Sequence, residues 1–168
     1  MIIPMPGPDR RPLPTLGRRG EGWVLIQLAL IAAVFLSAFA GRGWSGAAGI
    51  VAYAASGALL ALGSWMAIAG VATLGKALTP FPAPKGQEAV VSTGVYRIVR
   101  HPIYGGVLLV SLGWTILFAT VPGLVLTIVL AVFLDLKSRR EEQWLLERLR
   151  GYEAYRRATP HRLVPFLY

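Results

Sequence analysis

The sequence predicts an all-α, polytopic membrane helix bundle, and three observations predict it. Hydrophobic residues make up 55% of the chain and charged ones 15%, against about 25% charged in soluble domains. The mean hydropathy is +0.57. Lys and Arg gather between and beyond the long apolar blocks, as they do where helices cross a bilayer and loops stay in water.

Residues 1–20 carry prolines at 4, 6, 8, 12 and 14 among Arg10, Arg11, Arg18 and Arg19. So little apolar surface predicts a disordered basic tail ahead of a single domain over 21–168. A signal peptide would have a shorter apolar stretch ending in a cleavage site. The run over 23–40 is longer, with only Gln27 and Ser37 as polar side chains, and is the first expected span. A turn carrying Arg42 and Trp44 leads to a second span over 47–74. That span is rich in small residues, with Gly63, Ala67 and Gly70 at helical spacing, which suits close helix contact in lipid. A ligand pocket is the other use of such a stripe.

Residues 75–101 hold Lys76, Lys85, Arg97 and Arg100 with prolines at 80, 82 and 84, so this is a water-facing connector. The apolar run over 103–136 is too long for one crossing, since about 20 helical residues span the hydrocarbon. Val121-Pro122-Gly123 supplies the break, because proline suits the first turn of a new helix. Spans three and four are therefore expected at about 102–120 and 122–136. A separate cytosolic helix is expected over 137–157, with Leu145, Leu149 and Tyr152 on one stripe, lying on the membrane or on the connector.

Four spans put both termini and the connector on one side. Sixteen of the seventeen Lys and Arg residues then share that side, and only Arg42 is opposite. The positive-inside rule makes it cytoplasmic, so both termini and any site formed there face the cytosol. Membrane orientation accounts for the net charge of +9 and leaves no nucleic-acid partner to invoke; the bilayer itself is the expected partner. The chain has no cysteine, which excludes thiolate catalysis and disulfides. His101 and His161, without acidic companions at ligand spacing, predict no metal site.

Chemistry-bearing residues concentrate in two places on that side. The first is Gly94-Val95-Tyr96-Arg97-Ile98-Val99-Arg100-His101-Pro102-Ile103-Tyr104-Gly105-Gly106, the second Arg139-Arg140-Glu141-Glu142. Pro102 is placed to open span three with His101 at its cap, leaving unpaired first-turn amides that favour an anion. Gly105 and Gly106 leave room for something to approach closely. Read singly, Arg97 and Arg100 could be lipid anchors, Tyr96 and Tyr104 part of an aromatic belt, and the glutamates solvated charges.

Together the two clusters resemble the isoprenylcysteine carboxyl methyltransferase and phospholipid methyltransferase family. The resemblance rests on Arg100-His101-Pro102-Ile103-Tyr104-Gly105, Gly94-Val95-Tyr96, the Glu141-Glu142 pair, and the ending Gly151-Tyr152-Glu153-Ala154-Tyr155 with Arg162-Leu163-Val164-Pro165. It implies an integral membrane enzyme that uses S-adenosylmethionine at its cytosolic face. The implied cofactor site is lined by Val90 and Val91, from the stretch 88–91, by Tyr96, Arg100, His101, Pro102, Ile103 and Tyr104, and by Glu141 and Glu142. An arginine just before the glutamates, Arg139 or Arg140, is implied to meet the methyl-accepting group.

The resemblance gives the acceptor as a lipophilic or prenylated molecule that enters from the bilayer. A carboxylate acceptor is already ionised, whereas an amine must lose a proton, for which His101 or Glu142 is the candidate base. Adjacent glutamates point about 100° apart on a helix, so one of the two is expected to face the cofactor directly. Two other classes remain open here: a steroid-reductase-like oxidoreductase using NADPH, and a non-catalytic lipid-binding or assembly protein. His161 is expected to have no role.

Overall fold

The computed structural model describes residues 16–17, 20–75 and 90–165. Most of the basic tail, the proline-rich run at 80–84 and Glu88 lie outside the described residues. Helix α1 spans Glu21–Leu36 and continues into a 3-10 turn at Ser37–Ala40; α2 spans Gly46–Leu74. A 3-10 turn at Gly94–Arg97 precedes α3, Pro102–Leu117, which is followed by α4, Val121–Arg148, and α5, Tyr152–Ala158. No strand occurs among the described residues.

Helix α3 is the centre of the bundle, packed along α2 on one side and touching α4 and α1 on others. The α2–α3 seam is built from missing side chains. A Cβ on Gly63 would stand 2.7 Å from the Gly106 carbonyl, and one on Gly106 would stand 2.6 Å from the Gly63 carbonyl. Gly70 sits against Pro102 and Ile103 in the same way, and Gly113 against the Ser56 carbonyl. The small-residue stripe is thus a packing face at Gly63 and Gly70, where backbones meet without a hydrophobic drive. Across α3 and α4, the buried hydroxyls of Thr115 and Thr127 pair at 3.1 Å.

Among the described residues, three helical segments are long and apolar enough to cross a membrane: Glu21–Ala40, Gly46–Leu74 and Val121–Arg148. Helix α3 has 16 residues and reaches about 24 Å, short of a hydrocarbon core of about 30 Å. The break between α3 and α4 falls where proline allows it, with Pro122 in the first turn of α4 and Thr120 as N-cap accepting from the Gly123 amide at 3.3 Å.

The expected division at 136/137 does not exist. Helix α4 runs unbroken through Asp135 and Lys137 to Arg148, and the expected helix over 137–157 is instead the end of α4 plus a separate α5. The polar residues find partners without leaving the helix. Asp135 takes a 2.7 Å bond from Arg139 one turn on and a 2.9 Å bond from Arg162, and Lys137 bonds Gln27 of α1. Arg, Lys, Glu, Gln and Leu are also good helix formers. The 28 residues of α4 reach about 42 Å, so its charged last turns overshoot the apolar part and pass the start of α3. Gly151, at φ 87°, then reverses the chain in a conformation that favours glycine.

Candidate functional site

The polar end of the bundle is assembled from three pieces: the turn before α3, the last turns of α4, and the extended tail after α5. Pro102 is the first residue of α3 and His101 its N-cap. The tail pairs with this turn through its backbone, Arg100 donating to the His161 carbonyl at 3.0 Å and His101 to the Arg162 carbonyl at 2.9 Å. A Cβ on Gly105 would lie 2.1 Å from the Leu163 carbonyl, and one on Gly106 would strike α2. The space beside both glycines, expected to admit a ligand, is therefore filled by the protein itself.

Glu142 is buried, and Arg100 Nε donates to its Oε1 at 2.8 Å. His101 Nε2 lies 3.2 Å from the same oxygen, and Arg162 Nε approaches within 3.5 Å. Arg100 also donates to the Thr159 and Pro160 carbonyls at 2.6 and 2.7 Å. This clamp joins all three pieces through charge-assisted bonds inside a buried setting.

Glu141 is different. Its side chain keeps 23% of its surface, accepts from the Tyr104 hydroxyl at 2.8 Å, and has His101 Nδ1 at 3.9 Å. The rings of His101 and Tyr104 stack 5.4 Å apart and 3° from parallel. The two glutamates thus grip His101 from both sides, and Glu141 is the one with open surface.

The remaining expected residues fall into two groups. Tyr96 is buried in a cluster with Val95, Tyr152 and Tyr155, against which Val90, Val91, Leu145 and Leu149 pack. The Tyr155 hydroxyl donates to the Tyr96 carbonyl at 2.8 Å. The Leu145–Leu149–Tyr152 stripe therefore faces the connector turn. Burial raises the pKa of Tyr96, Tyr152 and Tyr155; the Glu141 charge adds to this at Tyr96, and the Glu142 and Glu141 charges add at Tyr152. Ile103 and Tyr104 are half-buried, Ile103 against Gly70 of α2 and Tyr104 on Glu141, whereas Pro102 is wholly enclosed. Arg139 is exposed on Asp135, and Arg140 is buried with its guanidinium 4.4 Å over the Trp144 ring. The structure thus brings Arg100, His101, Tyr104, Glu141 and Glu142 into contact, whereas Arg139 pairs with Asp135 and Arg140 lies on Trp144.

Sequence reasoning passed over the carbonyls of Thr159, Pro160 and His161, the Asp135–Arg162 pair, and Lys137. Main-chain acceptors in a proline-interrupted tail have no side-chain signature. Lys137, an ammonium in the middle of an apolar-to-charged transition, was visible in the sequence and called for a partner.

The family model described as phospholipid methyltransferase matches residues 51–151, which take in nearly all of α2, the turn, α3 and the whole of α4. The chain belongs to the phospholipid methyltransferase family. Members of this family are integral membrane methyltransferases, in agreement with the apolar helices. The chain is also 30% identical over 94 residues to the Delta(14)-sterol reductase TM7SF2 of Mus musculus. That similarity covers 54% of this chain and only 22% of the reductase.

Proposed function

We propose that this phospholipid methyltransferase family member transfers a methyl group from S-adenosylmethionine to a lipid-like or prenylated acceptor at the cytosolic membrane face. The observation that carries this reading is the meeting of Tyr104, His101 and a partly open Glu141 where the apolar helices end. The cation distribution supports cytosolic termini and a cytosol-facing site.

The residues present suit the methyl donor. An open carboxylate at Glu141 matches an ammonium or ribose hydroxyls, and the first-turn amides of Ile103 and Tyr104 have no acceptor within α3, which suits a carboxylate. When bound, the donor supplies a methyl group on a positive sulfonium. The chain's own part is to hold, orient and exclude water, which supplies most of the acceleration in an in-line displacement. Glu142, whose Oε1 is shared by Arg100, His101 and Arg162, acts as the clamp that keeps His101 in place.

An apolar groove of 320 Å³ between α1, α2 and α3, lined by Ile31, Phe35, Ala67, Val107 and Ser111, supports an acceptor whose chain stays in the bilayer. Of Arg139 and Arg140, Arg139 is the one we assign to the acceptor's head, since Arg140 is buried on Trp144. For an amine acceptor the proton passes to His101, whose Nε2 faces Glu142.

Calorimetry in detergent tests this reading. Wild type should bind S-adenosylmethionine, and Glu141→Gln should bind it about tenfold more weakly, the weight of one charge-assisted hydrogen bond. A folded wild type that ignores the donor sinks the proposal. A second reading has its own support in the sterol reductase similarity: a reductase acting on a sterol-like lipid with NADPH. Binding of NADPH, with no response to S-adenosylmethionine, would establish it instead. Incubating membranes with labelled donor and identifying the labelled lipid names the acceptor.

A further inference from the structure

Lys137 has no part in the mechanism above, yet it is among the most deeply enclosed side chains in the protein, 2% exposed. Burying an ammonium is expensive unless it is partnered, and an apolar residue at that position would avoid the expense. Its partners come from two other helices. Lys137 Nζ donates to Oε1 of Gln27, a polar side chain within the apolar stretch of α1, and lies 5.1 Å from the centre of the Tyr104 ring on α3.

Tyr104 is thereby held at two points by α4. Lys137 and Glu141 are four residues apart, so they lie on one face of that helix. Lys137 sits over the ring by a cation–π contact, and Glu141 takes the hydroxyl at 2.8 Å. The ring plane set this way is the plane against which His101 stacks. A chain of contacts therefore runs from Gln27 through Lys137 and Tyr104 to Glu141 and His101. Gln27 also lies outside the residues matched by the family model, 51–151.

We propose that Gln27 and Lys137 are a positioning pair through which α1 sets the orientation of Tyr104, and with it Glu141 and His101, in the candidate site. The catalytic consequence rests on the methyltransferase reading; the geometric one does not. Misplacing a reacting group by about 1 Å lowers a rate up to about 100-fold.

The test uses the full-length chain in detergent, labelled S-adenosylmethionine as donor and a total lipid extract as acceptor. Lys137→Met should lower kcat about 10- to 100-fold with a smaller change in donor KM. Lys137→Arg, which keeps the charge over the ring, should recover most of the rate. Gln27→Leu should give an intermediate loss, and adding it to Lys137→Met should cause little more. The NMR resonance of tyrosine labelled at the ζ-carbon, assigned with Tyr104→Phe, should shift in Lys137→Met and Gln27→Leu. Unchanged kcat with only a lower melting temperature overturns the pair, as does equal damage in Lys137→Arg and Lys137→Met. If Lys137→Met does not fold, Gln27→Leu carries the same test. Wild-type inactivity would defeat the methyltransferase reading alone, and the Tyr104 resonance would then decide the pair: an unmoved signal overturns it.

Discussion

The α2–α3 seam and the polar clamp around Glu142 hold the same helix, α3, by opposite means. At the seam, Gly63 and Gly106 lie so close that each other's backbone occupies the place of a Cβ. At the clamp, Arg100, His101 and Arg162 converge on one carboxylate. The seam depends on shape and has no charge to lose; the clamp depends on partners and tolerates no missing member. Shape fixes where α3 lies, and charge fixes what its first turn presents.

Removing the centre of the clamp should have the largest effect. Glu142→Ala leaves two guanidinium groups without their shared carboxylate in a buried setting, a change that typically costs about 3–5 kcal/mol. It should also release the tail, which Arg100 ties down through the Thr159 and Pro160 carbonyls. Faster proteolysis after residue 150 and a lower melting temperature in detergent would measure both. The seam should fail next. Gly63→Val places carbon against the Gly106 carbonyl and the Val110 amide at 2.7 and 2.8 Å, and overpacking against backbone costs about 3 kcal/mol. The expected result is aggregated or low-yield protein on size-exclusion chromatography, and normal behaviour would contradict the seam as described.

The same contrast explains what the sequence could reveal. Hydropathy and proline marked the helices and the α3–α4 break, because lipid thickness and the missing proline amide act locally. Glycine spacing on α2 pointed to close packing, although not to Gly106 as the partner. The RHPxY stretch and the glutamate pair were legible as clusters of chemistry in apolar surroundings. What stayed hidden depends on distance in the chain: Asp135 bonds Arg162 and so allows α4 to continue, and the Leu163 carbonyl fills the space beside Gly105. Local charge at 135–137 looked like an ending because its partners lay in α1 and the tail.

A pH experiment separates the clamp from the tyrosine cluster packed behind it. Tyr96, Tyr152 and Tyr155 have pKa values raised above 10.0, chiefly by burial, so the fold favours their neutral form. Their contribution to stability is fully present below the unfolded value of about 10 and is lost as pH rises beyond it. Tyrosinate absorbance should therefore appear late for these residues and together with loosening of α5. An ordinary titration near pH 10, with α5 still in place, would contradict the cluster.

The smallest stability effect is expected at Arg139, and its contrast with Arg140 is the sharpest test of which arginine meets the acceptor. Arg139 is 49% exposed and pairs with Asp135 one turn earlier. Exposed pairs at this spacing contribute only about 0.3–0.5 kcal/mol, and Asp135 would keep Arg162 as a partner. Arg140 is buried against Trp144 and bonded to Gln143 at 3.1 Å, so it belongs to the packing of α4. Arg140→Ala should cost about 1–2 kcal/mol through the lost cation–π contact and its stem. Arg139→Ala should leave the melting temperature nearly unchanged while raising the KM for the lipid acceptor. If both variants lose stability equally and neither alters acceptor KM, the acceptor's head is held elsewhere, and Arg139 and Arg140 are structural alone.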